Sequence, residues 1–131
     1  MTVVAENKVQ IIDLHFELNL WLNELKFYKD EIQIFNNRLE EIVSKNNTVE
    51  IMSEVEHFQN QYIRQSEVLD ELRHEIKQHE NIIEKEATDN SVPFDHHYVE
   101  DHAELRSQIE QFKKIYADLK RDFMNFLIRR M

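Results

Sequence analysis

No glycine occurs anywhere in the 131 residues, and the single proline is Pro93. Tight hairpins, phosphate-cradling loops and most left-handed turns depend on a residue without a Cβ, so sheet folds and Gly-rich nucleotide loops are excluded from the outset. Glu, Lys, Leu and Ile supply helix formers throughout. An all-α chain is expected.

The apolar residues then say how the helices meet. Leu14, Leu18, Trp21, Leu25, Tyr28, Ile32, Phe35, Leu39 and Ile42 recur at alternating spacings of four and three, the seam of a coiled-coil-like helix. The series stops at Ser44-Lys45-Asn46-Asn47, where the asparagines can take the left-handed and cap conformations that glycine would otherwise fill. Asn47 with Glu50 has the spacing of a capping box for the next helix. A second seam, Ile51, Val55, Phe58, Tyr62, Gln65, Leu69, Leu72, Ile76, His79 and Ile83, carries two polar members. Thr88-Asp89-Asn90-Ser91 supplies cap and turn residues, and Pro93 suits only the first turn of a helix. The third seam is Tyr98, His102, Leu105, Ile109, Phe112, Tyr116, Leu119, Phe123 and Phe126. Helices are thus expected over about 6–45, 48–87 and 93–130. Three seams of one period and similar length, joined by short connections, predict a single domain: an elongated antiparallel three-helix bundle with left-handed, coiled-coil-like packing.

The stretch LHFELNLWLNELKFYKDEI, Leu14 to Ile32, with Trp21 on the seam and followed by Leu22, resembles the first helix of spectrin-type three-helix repeats. The likeness covers one helix, implies the bundle architecture and carries no function across.

Twenty-six acidic against sixteen basic residues give a net charge of −10. A nucleic acid or an anionic membrane would meet mostly repulsion, so neither is expected as a partner. The local exception is Lys113, Lys114, Lys120, Arg121, Arg129 and Arg130 towards the C-terminus, placed to complement a helix dipole. The lack of cysteine rules out disulfides and thiolate metal sites and suits a cytoplasmic location. Met1 to Gln10 lacks the basic and apolar regions of a signal peptide, and no run approaches the roughly 18 apolar residues of a membrane span.

Two groups of residues stand out as candidate sites. Folding about Asn46 and Asn47 sets His79 near Leu14 and His15, and folding about the second turn sets His79 level with His102. His15, His79 and His102 are therefore candidate ligands for Zn²⁺ or another divalent metal, with Glu100 or Asp101 behind them. The plainer reading of the same layer is a set of hydrogen-bonded histidines that fixes helix register. The Glu-x-x-His pairs Glu54/His57 and Glu71/His74 both fall on the second helix, without inward carboxylates elsewhere, so a di-iron centre is not expected.

The second group is Phe16, Leu20, Phe27 and Ile34, which lie away from the first seam; one seam cannot bury both stripes. Ile115, Met124 and Ile128 are off the third seam in the same way. The stripe on the first helix is read as an interface for a protein partner or a homodimer, against the alternative of a wide buried face. No Gly-x-Ser-x-Gly motif and no serine beside a base and an orienting acid is present, so no enzyme is expected. The sequence thus favours a non-enzymatic structural or protein–protein interaction bundle, with a divalent-metal-binding bundle as the alternative.

Overall fold

The computed structural model describes residues 3–88 and 96–130, with side chains from 12–85 and 99–130. Three helices account for it: α1 (Val3–Lys45), α2 (Val49–Thr88) and α3 (His96–Arg130). Among the described residues only 46–48 are not helical. α1 begins three residues before the expected start at about residue 6. The expected start of α3 at Pro93 lies outside the described residues.

The α1–α2 connection is closed by side chains rather than by a left-handed residue. No described residue has positive φ. Asn46 instead donates to the Ile42 carbonyl twice, from its backbone N at 2.9 Å and from Nδ2 at 3.1 Å, satisfying an acceptor that the helix end would leave bare. α2 is capped by Thr48, whose Oγ1 accepts from the Ile51 amide at 3.3 Å. The cap therefore sits one residue beyond the expected Asn47, and the third helical position is Ile51 rather than Glu50. A threonine hydroxyl satisfies an amide of the first turn as well as an asparagine does.

Cross-helix pairs set the topology. Phe35 meets Tyr62, and Lys29 meets Asp70, so α1 and α2 run antiparallel. His79 meets His102, and Glu54 meets Arg130, so α2 and α3 are antiparallel as well. α1 and α3 are consequently parallel. Their boundary carries three ion pairs, Glu17–Arg106 at 2.5 Å, Glu24–Lys113 at 2.7 Å and Glu31–Lys120 at 3.1 Å. Each joins residues 89 apart, and successive pairs lie one heptad further along both helices.

The seams read from the sequence are the core. The described members of all three are buried except Leu14, Tyr28 and Ile51, which are half-buried against it. The period of 3.5 residues keeps one line of side chains inward along helices of about 50–65 Å. Near the α1–α2 turn the core is aromatic: Phe35, Phe58, Tyr62, Phe123 and Phe126 pack with ring centroids 5.0–5.4 Å apart. Such pairs add about 0.5–1.5 kcal/mol each beyond area burial. The polar members Gln65, His79 and His102 are buried too, the two histidines towards the opposite end. No helix among the described residues is long and apolar enough to cross a membrane.

Candidate functional site

At the end remote from the α1–α2 turn, one residue from each helix joins in a buried polar layer. His102 Nε2 lies 2.5 Å from Glu17 Oε1, and His102 Nδ1 lies 3.2 Å from His79 Nε2. An ionised carboxylate can only accept, so Nε2 of His102 carries the proton it donates to Glu17. A neutral His102 then accepts at Nδ1, and His79 must donate from Nε2. The direction of every proton in the chain His79→His102→Glu17 follows from one carboxylate.

The surroundings keep this chain neutral at its centre. Trp21 stacks on His102 with centroids 4.8 Å apart. Burial lowers the pKa of His102, outweighing the attraction of Glu17. Burial also lowers that of His79, His102 adds to the effect, and Asp101 opposes it. For Glu17 burial works upward, but hydrogen bonds from Arg106 and His102 overcome it and hold the carboxyl below its ordinary range. Both nitrogens of His102 are committed within the bundle, so chemically the layer is a directional hydrogen-bond chain.

The expected trio of histidines is therefore divided. His79 and His102 come together; His15 does not join them. It faces Glu80 and Glu84 of α2, with one ligand atom from each of the three lying within 4.8 Å of the others. The cause is register. Pairs such as Phe35–Tyr62 and Lys29–Asp70 lie about one helical turn further along α2 than folding about Asn46 and Asn47 would place them. Level with His15 is thus the stretch beyond His79. Asp101 acts on His79 through its charge, while Glu54 accepts from Arg130 in a forked pair at 3.0 Å and Glu71 and His74 are exposed.

Sequence reasoning missed Glu17, Arg106, Glu80 and Glu84. The signal for the first two was present, because Glu17, Glu24 and Glu31 repeat with the same period as Arg106, Lys113 and Lys120. Much of the basic C-terminal cluster is spent here: Lys113 and Lys120 serve α1, Arg121 pairs with Asp118 and Arg130 with Glu54.

The outer stripe of α1 lies where the heptads place it. Phe16 is 72% exposed, Leu20 48%, Phe27 59% and Ile34 62%, and Ile12 extends the line. They occupy the wall of α1 opposite Leu18, Trp21, Leu25 and Ile32. Of the off-seam residues on α3, Ile115 and Ile128 are exposed and Met124 is half-buried against the core.

No family model matches the chain, and neither does any curated protein or solved structure.

Proposed function

We propose that the chain is a non-enzymatic interaction bundle that pairs with a second copy of itself through the outer face of α1. The observation that carries this is the exposure of Phe16, Leu20, Phe27 and Ile34 in one line on a helix whose inner face is already filled. Scattered apolar residues are normal on a surface, but a line of four large ones over about 30 Å, with Asn23 and Asp30 between them, is what an interface leaves exposed in one chain alone.

The period of the line favours a helix as its occupant, since every second knob of a heptad seam is apolar here, with Asn23 and Asp30 at the alternate positions. Its symmetry favours a second copy. Leu20 and Ile34 stand one heptad either side of Phe27, so a twofold axis through Phe27 sets Leu20 of one copy against Ile34 of the other, as an isologous interface requires. Beside this line Asp13, Lys26 and Asp30 leave one net negative charge and Arg38 pairs with Glu41, so the face repels a second copy less than the chain's −10 would suggest. The polar layer of Glu17, His79 and His102 supports a structural role, because its groups are spent on joining helices.

The test is mass in solution. Sedimentation equilibrium should give a dimer for the wild type and a monomer for the Leu20→Glu, Phe27→Glu double variant, with helical circular dichroism unchanged. A monomeric wild type at tens of micromolar, or a variant of undiminished mass, would overturn self-pairing through this face.

A further inference from the structure

We propose that His15, Glu80 and Glu84 form a divalent-cation site, selective for zinc-like ions, that clamps α1 to α2 near the end remote from their turn. Glu80 and Glu84 are one helical turn apart on a single face of α2, an arrangement of like charges that is unfavourable by itself. Of the other carboxylates spaced this way on α2, Glu50 and Glu54 are answered by Arg130, while Glu71 and Glu75 stand exposed to solvent. Among the described residues, Glu80 and Glu84 have no ion pair, and what faces them is the imidazole of His15.

One nitrogen and two carboxylate oxygens within 4.8 Å of one another are close to a coordination set. Bonds of about 2.0–2.2 Å around a tetrahedral zinc place ligand atoms about 3.4 Å apart, a closure that side-chain rotation supplies. The mixed N/O set suits zinc, copper and nickel: imidazole favours them over magnesium and calcium, and manganese binds more weakly in the usual order of divalent ions. Glu84 is exposed and His15 and Glu80 half-buried, so water can complete the shell from the solvent side. A bound dication would turn the Glu80–Glu84 repulsion into attraction and tie together two helices whose covalent link lies at residues 46–48. The site is separate from the buried layer, since His79 is engaged with α3 and Glu80 faces α1.

Isothermal titration of ZnCl₂ into the tag-free, chelator-stripped full chain tests this, with thermal melts alongside. The expected result is one zinc per chain and a raised Tm. His15→Ala should weaken binding on the order of tenfold or more and abolish the rise in Tm. The exposed Glu84→Gln should do the same without disturbing the zinc-free fold, whereas His79→Leu should retain zinc affinity. No zinc uptake by the wild type, affinity unchanged in both His15→Ala and Glu84→Gln, or loss confined to His79→Leu would each overturn the site.

Discussion

Glu17 of α1 and His102 of α3 meet at 2.5 Å across the boundary of two parallel helices that are not consecutive in the chain. The contact is stabilised from three sides. Trp21 covers the imidazole, Arg106 holds the carboxylate and His79 fills the remaining nitrogen. Replacing His102 by leucine would leave the buried His79 donor and the Glu17 carboxylate without this partner. The expected cost is about 2–3 kcal/mol, read as a lowered urea midpoint at unchanged m-value.

The two histidines also give the bundle a pH dependence with a definite sign. Their pKa values are lowered on folding from the ordinary 6.5, so the unfolded chain takes up protons first as pH falls. The stabilisation is complete above about pH 6.5 and is lost as pH drops from there through the folded-state values. Glu17, lowered from 4.5, adds a second loss below that pH. In chelated buffer, urea midpoints between pH 7 and 5 should fall for the wild type. The slope should be shallower in the His79→Leu, His102→Leu double variant; equal slopes would contradict the assignment. Trp21, the one tryptophan, stacks on His102, so its fluorescence should change over the same interval.

The middle bridge of the α1–α3 boundary offers a cleaner measurement. Glu24 and Lys113 are part-exposed and 2.7 Å apart. A double-mutant cycle with Glu24→Gln and Lys113→Met should return a coupling of about 0.5–1 kcal/mol that shrinks in 1 M salt. A coupling near zero at low salt would mean that the bridge does not hold in solution.

Tyr62 presents the opposite case, a buried hydroxyl with no hydrogen-bond partner. Burial, with Glu31 nearby, pushes its phenol well above the ordinary range. Tyr116, its neighbour at 6.4 Å between ring centroids, donates to Glu31 instead. Tyr62→Phe should therefore stabilise the fold by about 1 kcal/mol, raising the urea midpoint, whereas Tyr116→Phe should lower it.

The bundle was legible in the sequence because burial along a packed helix repeats every 3.5 residues, and no glycine or interior proline interrupts the repeat. Even the polar positions Gln65, His79 and His102 were named as inward-facing, and they are buried. What periodicity does not encode is axial register between helices. A shift of about one turn separates His15 from the layer it was expected to share and delivers it to Glu80 and Glu84. The cap at Thr48 rather than Asn47 reflects a similar ambiguity, since several hydroxyl and amide residues in succession can each serve the first turn.

The bridges between α1 and α3 repeat every heptad, and repetition has a cost in uniqueness. A chain threaded with α3 seven residues out of place would still close two of the three bridges and would still turn its apolar line inward. In that arrangement His102 would occupy the place of Ile109, with no His79 beside it, and a buried imidazole without partners is expensive. The pair of His79 and His102 thus marks an origin from which the helices count: the bridges fix spacing modulo seven, and His102 supplies the integer.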